Sequence, residues 1–133
     1  MEEKKILVVD DDPDILDAVT WILESRGYQV VTARDGLDGL ATLKSENPDM
    51  VILDLLMPKM DGFALFKELQ NPNWSKYRNI PVLILSSVRE EASRRRYELE
   101  TGRELAVDDY VEKPMDPNVL LERVEKLFAK KAR

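Results

Sequence analysis

Residues 6–13 read Ile-Leu-Val-Val-Asp-Asp-Asp-Pro, a short apolar run that ends in three aspartates and a proline. A continuous apolar run is typical of a parallel strand that is covered on both faces of its sheet. Asp12 and Pro13 are residue types that favour the N-cap and the first turn of a helix. The stretch therefore predicts a β–α unit with acidic side chains at the carboxyl end of its strand.

The same pattern recurs along the chain and predicts five strands, each followed by a helix. The strands are predicted at residues 5–10, 28–33, 50–54, 80–86 and 107–112, and the helices begin near Asp12, Asp35, Asp61, Arg89 and Asp116. Gly27 and the pair Asn47-Pro48 are expected to end the first two helices. Because crossovers between parallel strands are right-handed, helices should cover both faces of the sheet. We therefore predict a single α/β domain over residues 1–133, with no output domain visible.

The composition argues against several classes of protein. A net charge of −6 argues against direct binding to nucleic acid or to an anionic membrane surface. The chain has no cysteine and no histidine, which removes disulfides, thiolate metal sites and imidazole catalysis. Its first residues lack the apolar region of a signal peptide, and no apolar run approaches the ~20 residues that a membrane span needs. We expect a cytoplasmic protein.

Polar side chains end or directly follow four of the predicted strands: Asp10 and Asp11, Asp54, Ser86, and Lys113. In parallel sheets, ligands bind outside the carboxyl ends of the strands, so these groups should share one shallow pocket. Three neighbouring carboxylates repel one another and would have raised pKa values without a counter-charge. Magnesium prefers oxygen ligands and keeps waters that a phosphate can replace. The sequence therefore predicts a site for Mg²⁺ or Mn²⁺ and for a phosphoryl group.

The expected roles within this pocket differ from residue to residue. Asp11 and Asp54 should bind the metal directly, the backbone carbonyl of Leu56 should add a third ligand, and Asp10 should act mostly through a bound water. A carboxylate oxygen beside such an ion can attack phosphorus and form an acyl phosphate. Asp54 is the predicted nucleophile because its strand lies centrally. Lys113 and Ser86 should contact the phosphoryl oxygens, since phosphoryl transfer depends on positioning and charge neutralisation.

Four stretches carry a specific resemblance to a known family. Val-Val-Asp-Asp at 8–11, the run from Asp54 to Gly62, Ser86-Ser87, and Lys113-Pro114 resemble the four signatures of the bacterial two-component response-regulator receiver domain, of the chemotaxis type. They occur in the same order and on the same predicted elements, and the likeness spans nearly the whole chain. The resemblance implies a flavodoxin-like, doubly wound sheet of five parallel strands in the order 2-1-3-4-5, with five helices.

The resemblance also implies a reaction. Such domains accept a phosphoryl group from the phosphohistidine of a sensor histidine kinase or a histidine phosphotransfer protein, here on Asp54. Mg²⁺ would be held by Asp10, Asp11 and Asp54, while Ser86, Ser87 and Lys113 would contact the phosphate. The domain would not be an enzyme, but a phosphoacceptor that assists its own phosphorylation and dephosphorylation.

Switching and output follow from the same resemblance. Tyr110 matches the aromatic switch residue that turns inward on activation, together with Ser86. The face formed by the predicted fourth helix, fifth strand and fifth helix would then change. The output partner is unknown, and a phosphorylation-linked dimer is compatible with the family.

Some positions depart from the family pattern. The stretch from Ser86 to Tyr110 is longer than in compact chemotaxis-type receivers, and Val107-Asp108-Asp109 replaces a small-residue pair. The helix predicted at residues 89–102 lies in this stretch. Its run Arg94–Arg96 is interpreted as a solvated face, with a partner surface as the alternative. Trp21 is interpreted as packing on the first helix.

Two other functions compete with the phosphoacceptor. The first is an aspartate-nucleophile phosphatase of the haloacid-dehalogenase type, since residues 10–12 contain Asp-x-Asp. Pro13 and Asp14 stand where that class expects a small or hydroxyl residue, and the chain has no room for its usual cap domain. The second is a phosphate-independent interaction module on the same scaffold, against which the intact set of acids argues.

Overall fold

A computed structural model describes residues 3–54, 62–77, 79–86, 95–96, 98–99, 109–113 and 116–131. Its strands are β1 (Lys5–Val9), β2 (Gln29–Ala33), β3 (Met50–Asp54), β4 (Val82–Ser86) and β5 (Asp109–Glu112). They form one sheet in the order β2-β1-β3-β4-β5, and every neighbouring pair is parallel. The fold is therefore the predicted flavodoxin-like α/β arrangement, with β3 at the centre of the sheet.

The helices are α1 (Pro13–Glu24), α2 (Gly36–Glu46), α3 (Gly62–Leu69), a short 3₁₀ helix (Pro72–Tyr77) and the C-terminal helix α4 (Pro117–Lys131). Of the helix predicted at residues 89–102, only residues 95–96 and 98–99 are described, and their backbone is helical. The rest of that prediction lies outside the described residues, as does the predicted cap Asp61. No helix in the described ranges combines the length and apolar character that crossing a membrane would need.

The first helix begins and ends as its sequence predicts. A carboxylate oxygen of Asp12 accepts a hydrogen bond from the backbone N–H of Asp14 at 2.9 Å, and Pro13 is the first helical residue. At the other end, Gly27 has a φ of 84°, which only glycine adopts without strain. The N–H of Gly27 donates to the carbonyl of Glu24, and the N–H of Tyr28 to that of Leu23, which is the Schellman pattern of a helix end.

The second and last helices follow the same rules. A carboxylate oxygen of Asp35 accepts from the N–H of Asp38 at 2.8 Å, and one of Asp116 accepts from the N–H of Asn118 at 2.8 Å. Asn47 ends α2 in the left-handed conformation, with φ of 47°, directly before Pro48. Side-chain chemistry thus sets where these helices start, and so how each leaves the carboxyl edge of the sheet.

Two apolar clusters cover the two faces of the sheet, as the continuous apolar strands predict. One cluster joins alternate strand residues to α2, α3 and the 3₁₀ helix, and the other joins the remaining strand residues to α1 and α4. Ile6, Val8 and Val9 are fully buried, and Leu7 is 1% exposed. Because both faces of β1 and β3 are packed, the carboxyl ends of these strands have little freedom to move.

Aromatic packing differs from the sequence interpretation at Trp21 and adds a buried pair that the sequence did not predict. Trp21 does not pack on α1, because its side chain is 80% exposed and points to solvent. Conversely, the polar connection at residues 71–79 contains the 3₁₀ helix, on which Trp74 and Tyr77 are buried. The indole N–H of Trp74 donates to Glu68 at 2.9 Å, and the ammonium of Lys44 lies 4.7 Å from its ring centroid.

Close packing at Gly39 of α2 yields a first prediction. A Cβ built there would lie 3.0 Å from Leu65 Cδ1 and 3.2 Å from Val9 Cγ2. Gly39→Val should lower the free energy of unfolding by about 1–3 kcal/mol, because the added methyl groups overpack this contact. Urea unfolding measures it. Ala41→Val, on the exposed side of the same helix, should cost only about 0.5 kcal/mol. Equal costs for the two variants would contradict the close packing.

Candidate functional site

The sheet brings three of the predicted site residues together at its carboxyl edge. Asp10 follows β1, Asp54 is the last residue of β3, and Lys113 follows β5. Asp54 is opposite Leu85 in the pairing of β3 with β4, so Ser86, the last residue of β4, is one position beyond it. The strand ends therefore converge, as predicted from the apolar runs and the residues that end them.

Asp10 is the most buried polar residue of this edge, with no exposed surface. Its backbone N–H donates to the carbonyl of Ala33 at 3.1 Å, which fixes the residue beside β2. One carboxylate oxygen, Oδ1, accepts a hydrogen bond from the backbone N–H of Asp12 at 2.9 Å. The other, Oδ2, accepts no well-aligned hydrogen bond from the described residues. A buried carboxylate oxygen without such a donor is costly unless a cation is near.

The ammonium group of Lys113 lies between two carboxylates. Its Nζ is 3.1 Å from Oδ2 of Asp10 and 3.4 Å from Oδ1 of Asp54. The lysine side chain is 17% exposed, and that of Asp54 is 3% exposed, so water screens these ion pairs weakly. Lys113 is therefore the positive charge that offsets the repulsion between the two acids in this structure.

Burial still dominates the ionisation of Asp10. Loss of hydration raises the pKa of Asp10 from its ordinary 3.8 to about 6. The hydrogen bond from Asp12 opposes this rise, the negative charge of Asp54 adds to it, and Lys113 lowers it. The site thus holds a carboxylate that the fold alone does not fully stabilise in its charged form.

The three acids meet the geometric requirement for a shared cation. Each of Asp10, Asp11 and Asp54 offers a carboxylate oxygen, and these oxygens all lie within 4.8 Å of one another. Asp11 is exposed, so the cluster is open to solvent on one side. An all-oxygen, partly open set with one poorly satisfied buried oxygen suits a hard divalent ion that retains waters. The residues present therefore fit the predicted metal.

Other predicted site positions are described partly or not at all. Leu56, Ser87 and Pro114 lie outside the described residues, so the predicted carbonyl ligand and the second serine are not located. For Ser86 and Tyr110 only the backbone is described, in β4 and β5. Their side-chain roles stay predictions.

Sequence reasoning missed one feature of the site. It assigned Lys113 to the phosphate and left Asp10 to a bound water, whereas the structure pairs Lys113 with Asp10 directly. The only sequence signal for this pair is that both residues follow strands, and those strands are not neighbours in the sheet. A pairing across β3 and β4 depends on the twist of the sheet and on side-chain reach, which strand positions alone do not specify.

Comparison with known proteins identifies the family. The family model "Response regulator receiver domain" matches residues 6–125. A probable transcriptional regulator, ycf27 of Cyanophora paradoxa, is 40% identical over 128 residues, covering 96% of this chain and 49% of its own length. The alkaline phosphatase synthesis transcriptional regulatory protein PhoP of Bacillus subtilis is 37% identical over 125 residues, covering 94% and 48%. The chain spans about half the length of these curated relatives.

Solved structures agree with the sequence relatives. A putative response regulator from Chloroflexus aurantiacus has a TM-score of 0.80 at 28% identity, covering 99% of this chain and 100% of that one. The chemotaxis protein CheY4 of Vibrio cholerae also has a TM-score of 0.80 at 28% identity, covering 95% and 99%. Since the sequence match, the relatives and the fold all cover nearly the whole chain, this chain belongs to the response regulator receiver domain family.

Proposed function

We propose that this domain accepts a phosphoryl group on Asp54 from a phosphohistidine of a sensor histidine kinase or histidine phosphotransfer protein. The observation that carries the proposal is the position of Asp54: its buried carboxylate ends the central strand, 3.4 Å from the ammonium of Lys113 and within the cluster of acids. A carboxylate oxygen of Asp54 forms the bond to phosphorus while the phosphorus–nitrogen bond breaks and the imidazole takes up a proton. The product is an acyl phosphate on this chain.

In this reaction, Lys113 neutralises charge at the reacting oxygens. Its ammonium already lies beside a carboxylate oxygen of Asp54, so a modest movement would bring it to a phosphoryl oxygen. Ser86, at the end of the neighbouring strand, would contact a second oxygen, with Ser87 beside it. Because the domain itself is modified, it acts as a phosphoacceptor that assists its own phosphorylation and dephosphorylation, rather than as an enzyme.

Asp10, Asp11 and Asp54 would hold Mg²⁺ or Mn²⁺, together with the backbone carbonyl of Leu56. A bound divalent ion supplies charge neutralisation and orientation of phosphoryl oxygens. The support for this assignment is the oxygen-only donor set and the poorly satisfied Oδ2 of Asp10. Burial of Asp10 would favour metal binding, because a carboxylate that its own fold stabilises poorly in the charged form gains the most stabilisation from a cation.

Phosphorylation would act as a switch. It replaces the single negative charge of the Asp54 carboxylate by the charge of an acyl phosphate, about −1.5 to −2, and draws Lys113 and Ser86 toward the new group. Ser86 is opposite Glu112 in the pairing of β4 with β5, and Tyr110 is two residues earlier in β5. A displacement at Ser86 and Lys113 would thus reach Tyr110 and the face formed by β5, α4 and the segment before β5. Such couplings are typically worth about 1–3 kcal/mol.

The relatives suggest the output. The curated relatives are transcriptional regulators of about twice this length. We infer that the switch face of this domain controls a transcriptional regulator, through an output partner whose identity is unknown. The haloacid-dehalogenase alternative would instead place the nucleophile at Asp10, so replacing Asp10 and Asp54 separately distinguishes the two functions.

Replacement of the phosphoacceptor gives the most direct prediction. Wild-type protein incubated with acetyl phosphate and Mg²⁺ should gain the mass of one phosphoryl group, and Asp54→Asn should gain none, because an amide oxygen is a poor nucleophile. Intact-mass spectrometry measures both. The exposed Asp17→Asn serves as the matched control and should be labelled like wild type. Labelling that survives Asp54→Asn and is lost only in Asp10→Asn would favour the phosphatase.

Burial of Asp10 predicts a pH dependence in metal-free protein. In the folded protein the Asp10 carboxyl keeps its proton up to about pH 6, whereas in the unfolded chain it releases that proton near pH 3.8. Stability should therefore fall as the pH rises from about 4 to 6 and stay lower above. Asp10→Asn should remove this slope and stabilise the metal-free protein at pH 7.5 by about 1–3 kcal/mol, measured by urea unfolding in EDTA.

The same variant tests the metal. Mg²⁺ should stabilise wild type at pH 7.5 and have little effect on Asp10→Asn, because binding to the folded state alone raises stability. Asp11→Asn separates the two effects, since it removes an exposed ligand of the cluster and should lose the Mg²⁺ effect while keeping the pH slope. An unchanged slope in Asp10→Asn would refute the assignment of the titration.

Removal of the Lys113 ammonium should lower the stability of the metal-free protein, whereas Asp10→Asn should raise it. Lys113→Met keeps an apolar stem but leaves Asp10 and Asp54 facing each other, so metal-free stability at pH 7.5 should fall by about 1–3 kcal/mol. Labelling by acetyl phosphate should also slow at least about tenfold, since one neutralising group is lost. Lys130→Met, on an exposed position of α4, is the control. Wild-type stability and labelling rate in Lys113→Met would rule out this role.

A further inference from the structure

The most exposed large apolar residue of α1 borders a groove. Trp21, 80% exposed, lines it together with Ile22 and Ser25 of α1 and with Pro117 and Leu121 of α4. Its volume is about 210 Å³, more than the ~150 Å³ that accommodates benzene. Exposed apolar patches of this kind are typical of interaction sites, and Trp21 extends the apolar depression into such a patch.

The exposed charges at the rim of this groove are mainly acidic, and Arg26, which follows Ser25, is paired with Glu125 at 2.9 Å. Asp17 and Glu24 are exposed and lie one helical turn before and after Trp21, and α1 contains no basic residue. On α4, Glu122 is also exposed, next to Leu121. Two copies of this surface would therefore repel each other face to face, and the groove suits an apolar side chain with positive neighbours.

A second exposed patch has the complementary character. Leu99 is 84% exposed, and the exposed Arg95 and Arg96 lie four and three residues before it; the described residues of this stretch have helical backbone. These spacings place all three on one helix face. The patch presents one branched apolar side chain with two exposed positive charges one turn before it, while the adjacent Glu98 is half-buried.

The geometry points to head-to-tail association, in which Leu99 of one copy enters the Trp21 groove of another and Arg95 and Arg96 face the acidic rim. Both patches are exposed in the single chain, so they do not contact each other within it. The contact joins two different surfaces, so a pair of copies still has one free groove and one free Leu99 patch. Further copies can therefore add to form open chains, or the chain can close into a ring. It uses no residue of the Asp54 pocket and does not depend on phosphorylation.

Sedimentation equilibrium of the whole chain tests this association. The protein concentration should reach about 1 mM, because contacts made by a few side chains associate only weakly. Wild type should show an average mass that rises with concentration beyond a dimer. Trp21→Ala and Leu99→Ala should each remain monomeric. Their 1:1 mixture should form a dimer and nothing larger, because only one groove and one leucine patch remain to pair.

Charge reversal gives a second, independent arm. Arg95→Glu with Arg96→Glu should abolish association, and adding Asp17→Lys with Glu24→Lys in the same chain should restore it. Leu37→Ala, at an exposed apolar position of α2, is the matched control and should associate like wild type. Thermal melting checks that each variant folds. A monomeric wild type, single variants that still associate, or a monomeric mixture would each overturn the proposal.

Discussion

The electrostatics of the site are dominated by one unfavourable interaction. The fold places the Asp10 and Asp54 carboxylates side by side at a buried edge of the sheet. Both strands are packed on both faces, so the two groups have little freedom to separate. Lys113 reduces the repulsion, with contacts of 3.1 and 3.4 Å, yet burial still raises the pKa of Asp10 to about 6. The packed core therefore keeps the two carboxylates close together, an arrangement whose repulsion a bound cation would reduce.

Much of this fold is predictable because it is encoded locally. Asp12, Asp35 and Asp116 each cap the helix that follows, and each was identified from its position before a helical pattern. Asn47-Pro48 and Gly27 end helices for equally local reasons. The site was also predictable in outline, since the carboxyl ends of parallel strands share one edge whatever the details of packing.

The features that sequence reasoning missed depend on tertiary contacts. Trp74 is in a polar stretch and is buried because it packs in the apolar cluster with α2 and α3, where Glu68 accepts its indole N–H and Lys44 lies over its ring. Trp21 is as large as many core residues but lies on the outer side of α1. The inner side, which contacts the sheet, is filled by Leu16, Val19 and Leu23. The pairing of Lys113 with Asp10 joins residues 103 positions apart, and no local pattern specifies such a partner.

If the domain is phosphorylated as proposed, charge balance in the pocket would let one lysine serve both the resting and the phosphorylated domain. Three carboxylates face one ammonium, which leaves a net charge of −2 when all four groups are ionised. A divalent cation would bring that charge close to zero and weaken the hold of the acids on Lys113. An acyl phosphate of about −1.5 to −2 charges would then stand in place of the single negative charge at Asp54, with Lys113 as the nearest cation of the described chain. The lysine is attached directly to β5, so its preferred position, and with it the end of β5, would follow the charge of the pocket.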